Sequence, residues 1–338
     1  PEVKVSRFLS LSDDNDHPSP LHIIKSPWIR HSNTPLWSHY IFSFRSNHNK
    51  YYMVIMSAAA TTAARTRRLV ILYGIGGLSD VGRHAILAAL EQPTVEHVTV
   101  ITEYPELLDL SNWECSCPGG HSHPAKDHPD RVTVVPLWGD DDDDDKKNPR
   151  QPYSWQNPPP NLSQHFQGAD AVISCLGHRQ PGHLHPELIK KGLIAHDGTK
   201  QVLQAMKEAN LSRIILCSSV GVEEDKPPIE FHWAGKILAL MFKTNSKRAF
   251  QDLTRMEMAV KEEALWLDYV LVRPVGLGEE VVPVNQYFVQ QEKGKDVLGI
   301  NMAKLDCARF MVHEALNPTY HRRGVVVGSE PPPSKSKK

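Results

Sequence analysis

The sequence predicts an α/β fold in which helices cover both faces of a doubly wound, mainly parallel sheet. Short apolar segments of strand length alternate with segments of helix length, an order that builds parallel sheets. Several strand segments, such as residues 171–175, are apolar at almost every position, as expected of strands that are covered on both faces. A cluster of glycines also follows the first strand segment and precedes a pattern with helical periodicity.

The elements follow one another at the intervals that such a fold requires. The predicted strands are residues 69–73, 98–101, 132–135, 171–175, 214–217, 269–272 and 325–327. One predicted helix directly follows the glycine cluster, and two others occupy residues 199–209 and 250–265. Polar, turn-rich segments near residues 113–130 and 140–160 interrupt this order, and we interpret them as surface insertions. Residues 66–330 are therefore predicted to form one domain.

Both ends of the chain differ in composition from this domain. No acidic residue lies between Asp16 and Asp80, whereas basic residues, serines and threonines are frequent there, as in organelle transit peptides. The alternative is that residues 1–65 are a disordered leader outside the mature protein, since Met56 would be a plausible start. We expect a cytoplasmic location, or a plastid or mitochondrion if the leader is a transit peptide. Residues 331–338 are predicted to be a disordered basic tail.

The overall composition excludes several classes of partner. A net charge of -1, from 38 basic and 39 acidic side chains, predicts no general attraction to nucleic acids or anionic membranes. No run approaches the length of about 18 apolar residues that a membrane-spanning helix needs, so we expect a soluble protein. Five scattered cysteines do not suggest a disulfide framework and favour a reducing compartment. We expect a small-molecule substrate, and the sequence leaves open whether the protein is a monomer or a dimer.

The glycine cluster contains Gly74, Gly76 and Gly77, and Gly82 follows within the predicted helix. Glycine allows a sharp turn and a close approach of the backbone to a pyrophosphate, while the N–H groups at a helix start attract an anion. The order of strand, glycine loop and helix therefore predicts a dinucleotide-binding site. The alternative is an ordinary turn with incidental glycines.

Two polar segments contain residues that bind metal ions in other proteins. The six aspartates of residues 140–145 are more typical of a solvated, mobile segment. Cys115, Cys117, His121 and His123 could ligate zinc or copper, but this spacing within one insertion differs from that of structural zinc sites. We therefore predict no metal site.

Four motifs together resemble one known family: Gly74-Ile75-Gly76-Gly77, and the segments at residues 169–177, 217–221 and 267–274. They resemble the atypical short-chain dehydrogenase/reductase family, in the branch that is similar to flavin reductase/biliverdin reductase B and to NmrA-like proteins. The resemblance covers residues 69–328 and implies a Rossmann fold that binds a nicotinamide dinucleotide where the sheet order reverses. It also implies that Gly177 passes close to the cofactor and that Pro274 lies at the nicotinamide pocket. The alternative for Pro274 is that it only fixes the geometry of the turn.

Two departures from the family pattern concern the cofactor. The glycine loop is about two residues longer than usual, because Asp80 stands where the third glycine is expected and Gly82 follows it. Glu103 stands where many relatives have an arginine near the adenosine ribose. A carboxylate there would bind ribose hydroxyls and repel a 2′-phosphate, so NAD is favoured over NADP. The alternative is that Glu103 points to solvent.

A third departure concerns the proton donor. Relatives with the usual active site carry a Tyr-x-x-x-Lys pair after the active-site serine, but here His232 and Lys236 stand in that interval. His232 could donate a proton, with Lys236 tuning it, or it could be a structural or exposed histidine. Ser218 or Ser219, at a strand end, is expected to contact the substrate or the nicotinamide carboxamide. The alternative is that the hydroxyl only caps the adjacent loop.

The resemblance implies an NAD(P)H-dependent oxidoreductase. Hydride would pass from the nicotinamide C4 to a small conjugated acceptor such as a flavin or quinone, which needs orientation more than a built-in acid. The alternative is a non-catalytic NAD(P)-binding redox sensor like the NmrA-like regulators. An isomerase or epimerase with tightly held NAD is a third reading, although such enzymes generally retain the tyrosine.

Overall fold

The structure is a computed structural model of the chain, which divides into two compact units, residues 1–65 and 66–338. In the first unit it describes the backbone of residues 22–24, 38–46 and 49–57. The other described residues are 65–74, 79–103, 105, 108, 129–137, 155, 158–177, 194–222, 240, 244, 247–278, 287–289, 298–299 and 301–328.

The N-terminal unit contains a three-stranded antiparallel sheet. Its strands are β1 (His22–Ile24), β2 (Ser38–Ser46) and β3 (Asn49–Ser57). β2 and β3 pair along their whole length, from Ser38 opposite Ser57 to Ser46 opposite Asn49. We predicted a disordered or targeting leader here, whereas the structure assigns strands to segments rich in aromatic and β-branched residues, which favour extended backbone. A targeting role stays a prediction.

The second unit is built on an eight-stranded sheet. Its elements are β4 (Arg67–Tyr73), α1 (Ser79–Leu90), β5 (Val95–Thr102), β6 (Val132–Pro136), β7 (Ala171–Cys175), α2 (Ala195–Glu208), β8 (Arg213–Cys217), α3 (Lys247–Glu262), β9 (Asp268–Pro274), β10 (Gly276–Gly278), β11 (Phe288–Val289), β12 (Asn301–Ala303), α4 (Lys304–Leu316) and β13 (Arg323–Gly328). The strand order is β11-β13-β9-β8-β7-β4-β5-β6. All neighbours are parallel except β11 and β13, and β10 pairs with β12 separately. This confirms the predicted fold class.

Apolar layers cover both faces of the sheet. Along β4, Leu69 and Ile71 join the layer that contains α1 and α4, whereas Val70 and Leu72 join the layer that contains α2 and α3. Successive side chains of a strand point to opposite faces, so an almost continuous apolar run is what a sheet covered on both sides requires. No helix among the described residues is long and apolar enough to cross a bilayer.

The start of α2 is capped by a residue from a different helix. Ile194, at the N-cap position, makes no side-chain cap. Instead the Asp252 carboxylate on α3 accepts hydrogen bonds from the backbone N–H of Ala195 at 2.9 Å and of His196 at 3.2 Å. Burial raises the pKa of Asp252, and these two donors oppose that rise. Asp252 thereby fixes how α2 and α3 pack at the carboxyl side of the sheet.

Replacing Asp252 with alanine should lower the free energy of unfolding by about 1–2 kcal/mol, because one buried and one partly buried N–H group lose their acceptor. Urea denaturation measures this change. The matched control is Asp197→Ala in the first turn of the same helix. Asp197 is exposed and hydrogen-bonds to the neighbouring His196 ring, so the control should cost about 0.5 kcal/mol or less. Equal costs for the two variants would contradict the capping role of Asp252.

Candidate functional site

The strand order reverses between β4 and β7. From β4 the chain builds outward through β5 and β6 on one side, and through β7, β8 and β9 on the other. Tyr73 at the carboxyl end of β4 lies in register with Cys175 at the carboxyl end of β7. Open α/β sheets bind ligands in the crevice at such a point. The candidate site is therefore the carboxyl edge of the sheet around β4 and β7.

Two of the predicted glycines lie at this edge. Gly74 directly follows β4 and is buried. Gly82 lies in the first turns of α1, where an added Cβ would be 3.1 Å from the Cβ of Cys175 and 3.1 Å from the Cδ2 of Tyr73. The missing side chain at Gly82 therefore lets α1 lie directly against the ends of β4 and β7. The last glycine of a dinucleotide-binding loop has this packing role, so the residues present fit a bound dinucleotide.

Glu103 lies at the same edge, immediately after β5. Its side chain is buried, and Oε1 accepts a hydrogen bond of 3.0 Å from the backbone N–H of Trp155. The side chain therefore does not point to solvent. Gly177, two residues beyond β7, is also buried at this edge.

Trp155 anchors part of an insertion that we interpreted as a surface segment. Its side chain is completely buried, and an added Cβ at Gly198 on α2 would lie 3.0 Å both from the Cβ of Trp155 and from the Cδ1 of Leu176. The segment that carries Trp155 is thus fastened to the edge at two points, through Glu103 and through α2. A large aromatic residue within an otherwise polar segment was the only sequence signal for this anchor.

A buried polar cluster lies at the carboxyl ends of β8 and β9. Ser218 follows β8, and its hydroxyl donates a 2.6 Å hydrogen bond to Oε1 of Glu257 on α3. Arg273 on β9 donates from Nε to the same Oε1 at 2.9 Å and from a terminal guanidinium nitrogen to Oε2. All three side chains are buried, so the Ser218 hydroxyl is committed to Glu257. Sequence reasoning missed Glu257, although a glutamate beside the buried Leu253, Met256 and Val260 interrupts an apolar helix face.

Ser219 and Pro274 lie beside this cluster. The Ser219 side chain is half-buried, and its hydroxyl bonds to the adjacent carbonyl of Val220 at 3.3 Å. Backbone bonds join the two strand ends, from the Ser218 N–H to the Val272 carbonyl at 2.7 Å and from the Val220 N–H to the Pro274 carbonyl at 3.3 Å. The structure therefore brings Ser219 and Pro274 to one edge, and of the two serines Ser219 is the one with exposed surface.

Three cysteine thiols form part of the apolar layer under this edge: Cys175, Cys217 and Cys307. Burial raises the pKa of Cys175 well above its ordinary value. A hydrogen bond with Cys217, together with burial, does the same to the pKa of Cys307. Cys175 and Cys307 are therefore poor nucleophiles at neutral pH. They serve here as packing groups beneath the site.

The remaining predicted residues lie outside the described part of the chain. They are Gly76 and Gly77 of the glycine loop, His232 and Lys236, the aspartate run at residues 140–145, the cysteine and histidine segment at residues 115–123, and the tail at residues 331–338. Within the described ranges, no group of three or more histidine, cysteine or acidic residues could hold a metal ion.

Comparison with known proteins gives the cofactor class. Residues 156–318 match a family model described as NAD(P)H-binding, a range that begins beyond the glycine loop. No curated protein matches the chain at a significant level. Solved structures that resemble it include a short-chain dehydrogenase/reductase from Veillonella parvula, with 17% identity over 78% of this chain and 94% of that one and a TM-score of 0.50.

Two further structures resemble the chain less closely. A Veillonella parvula short-chain dehydrogenase/reductase in complex with NADP has 17% identity over 78% of this chain and 94% of that one, with a TM-score of 0.49. A Rossmann-fold NAD(P)-binding family protein from Shigella flexneri has 15% identity over 81% and 98% of the two chains, with a TM-score of 0.45. Residues 156–318 thus resemble NAD(P)H-binding domains, and the sheet has the Rossmann-type fold of the first Veillonella parvula structure, in agreement with the fold and the resemblance that the sequence predicted.

Proposed function

We propose that the protein is an NAD(P)H-dependent oxidoreductase that transfers hydride to a small conjugated acceptor such as a flavin or quinone. The observation that carries the proposal is the close packing of α1 at Gly82 over the ends of β4 and β7, in a chain whose residues 156–318 match an NAD(P)H-binding domain. This packing aims the start of a helix at the crevice, where its N–H groups and dipole favour a pyrophosphate.

The residues that the sequence singled out at this edge have distinct roles in the proposal. Gly74 lets the backbone turn close to the pyrophosphate, and Gly177 leaves room for the cofactor beside β7. Glu103, held by the Trp155 N–H, accepts hydrogen bonds from the adenosine ribose hydroxyls. Ser219 and Pro274 line the nicotinamide side. Gly76 and Gly77 are proposed to complete the phosphate loop.

The reduced nicotinamide supplies the hydride when it is bound, and the protein orients the acceptor. Ser219 is proposed to donate a hydrogen bond to the acceptor or to the carboxamide, because its hydroxyl is at a half-buried position whereas that of Ser218 is committed to Glu257. His232, with Lys236, is proposed as a proton donor. A conjugated acceptor can also take its proton from solvent.

The second candidate function is a non-catalytic NAD(P) sensor. The observation that favours it is that Ser218, one of the two serines at the expected catalytic position, is completely buried and bonded to Glu257. A sensor would bind the cofactor without oxidising or reducing it. Cofactor binding would change how tightly the sensor associates with a protein partner.

One titration series separates the two functions. NADH and NADPH are added to the full-length protein while nicotinamide fluorescence is followed, and flavin and quinone acceptors are then supplied. An oxidoreductase should bind the cofactor and consume it with at least one acceptor, and Ser219→Ala should lower turnover by about tenfold with little change in cofactor affinity. Tight binding with no oxidation by any acceptor would refute the oxidoreductase and support the sensor.

Cofactor preference tests Glu103. The wild-type protein should bind NADH more tightly than NADPH, because a carboxylate repels the 2′-phosphate. Glu103→Gln should reduce that preference by roughly tenfold, or about 1.4 kcal/mol. The control is Glu96→Gln, which removes an exposed carboxylate from the same strand and should leave the preference unchanged. An unaltered NADH to NADPH affinity ratio in Glu103→Gln would exclude Glu103 from the ribose site.

A further inference from the structure

The Ser218, Glu257 and Arg273 cluster is an ionic group inside an otherwise apolar layer. Glu257 is 2% exposed, Arg273 1% and Ser218 0%, while Leu253, Met256 and Val260 of the same helix are apolar and buried. A buried ion pair is often no more stabilising than well-packed apolar residues of similar size. Stability alone therefore does not account for an ion pair at this place.

The cluster ties three elements together at one point. Glu257 extends from α3 and uses both carboxylate oxygens on Arg273 of β9, and it shares one of them with Ser218 beyond β8. A bidentate pair of arginine and carboxylate fixes direction as well as distance. Ser219, which follows Ser218, is partly exposed, and Pro274, which follows Arg273, is buried.

Around this point β9 stays paired with β13, up to Pro274 opposite Val327, but its pairing with β8 stops earlier. The pairing of β8 with β9 ends at Cys217 opposite Val272. Beyond that pair, two backbone hydrogen bonds join the ends of β8 and β9 among the described residues. They run from the Ser218 N–H to the Val272 carbonyl and from the Val220 N–H to the Pro274 carbonyl, and the second is long at 3.3 Å. The side-chain cluster therefore supplies directional restraint between β8 and β9 beyond the end of their backbone ladder.

We propose that Glu257 is a positioning residue for hydride transfer, which holds Ser218 and Arg273 so that Ser219 and Pro274 keep a fixed place on the nicotinamide side. This inference rests on the proposed function. Misplacing a group that orients reactants by about 1 Å can cost two orders of magnitude in rate. A restraint located directly beneath such groups therefore affects turnover more than cofactor binding, which the phosphate loop dominates.

The same sheet provides a matched control at its opposite edge. Arg213, the first residue of β8, donates to the Glu314 carbonyl at 2.9 Å and contacts the Glu314 carboxylate at 3.5 Å. That carboxylate also accepts the backbone N–H groups of Thr319 and Tyr320. Glu314 is 1% exposed, much like Glu257, but it lies at the amino edge of the sheet. Glu314→Gln therefore removes a comparable buried charge far from the candidate site.

The test compares Glu257→Gln and Ser218→Ala with Glu314→Gln in the full-length protein. Ser218→Ala leaves the ion pair in place and serves as the milder variant if Glu257→Gln folds poorly. We expect both cluster variants to lower kcat for acceptor reduction by about tenfold or more, with less than about a threefold change in the Kd for NADH. Glu314→Gln should lose stability but keep kcat and Kd per folded molecule.

Amide hydrogen exchange without cofactor decides the same question independently of any activity. Exchange at Ser218 and Val220 should accelerate by about tenfold or more in Glu257→Gln, and not in Glu314→Gln. If the wild-type protein bound no cofactor, the proposed function would fail. This exchange pattern would still decide whether Glu257 restrains the backbone at Ser218 and Val220. Equal exchange at Ser218 and Val220 in the two glutamine variants, or an equal kcat in all variants, would overturn the positioning role.

Discussion

Replacing Arg273 with methionine is expected to lower the free energy of unfolding by about 3–5 kcal/mol, because it leaves the buried Glu257 carboxylate without its counter-charge. The methionine fills much of the volume of the arginine, so little of the loss comes from a cavity. Urea denaturation of the purified protein measures the change. The loss is large because the penalty of an unpaired buried charge far exceeds the net value of the pair.

Two further variants test that interpretation. Adding Glu257→Met to Arg273→Met should recover much of the lost stability, since an apolar replacement of the whole pair leaves no charge behind. Arg309→Met breaks the more exposed pair between Arg309 and Glu91 and should cost about 0–1 kcal/mol. A loss from Arg273→Met no larger than that from Arg309→Met would show that Glu257 is not confined to an apolar environment.

Enlarging Gly82 is expected to reduce the affinity for NADH in proportion to the added volume. Alanine brings a Cβ to 3.1 Å from both Cys175 and Tyr73, so these neighbours must shift by a few tenths of an ångström. Valine adds two more carbons and must move α1 away from the sheet, at a cost of about 1–3 kcal/mol in stability. Because the start of α1 carries the phosphate-binding N–H groups, we expect a loss of about tenfold or more in affinity for Gly82→Val.

The control for Gly82 adds the same methyl group where there is room. At Gly328 an added Cβ meets Val275 and Leu298 at 3.5 Å or more, which are ordinary van der Waals contacts. Gly328→Ala should therefore leave NADH affinity nearly unchanged. At Gly82, which lies in a helix, alanine is also intrinsically a better helix former than glycine by about 1 kcal/mol. If Gly82→Ala raised stability and kept full NADH affinity, close packing at Gly82 would not be needed for the site.

The sheet was predictable because its strands are apolar on both faces. The predicted segments fall within β4, β5, β6, β7, β8, β9 and β13, and residues 171–175 coincide with β7. α4 was missed because it is buried at nearly every position and shows no amphipathic stripe. β10, β11 and β12 are two or three residues long, which is too short for a periodic pattern to develop.

In the candidate site, the sequence indicates residues near strand ends and in the glycine loop more readily than the distant residues that support them. Gly74 and Gly82 stand out because a strand, a glycine cluster and a helix follow one another in the sequence. Glu257 is 39 positions in sequence from its partner Ser218, and Trp155 is 52 positions from its partner Glu103. A single sequence gives no register between such distant segments. A charged residue on an apolar helix face and a tryptophan in a polar insertion were the signals that remained.

The measurement that tests the central claim most directly is amide hydrogen exchange of the full-length protein with and without saturating NADH, or NADPH if it binds more tightly. The claim is that the dinucleotide lies at the carboxyl edge of the sheet between β4 and β7, where the strand order reverses. Cofactor should slow exchange at residues 74–82, 175–177 and 218–222, and leave the amino edge around Arg213 and Tyr320 unchanged. Bound cofactor that protects the amino edge, or that leaves residues 74–82 unprotected, would contradict this account.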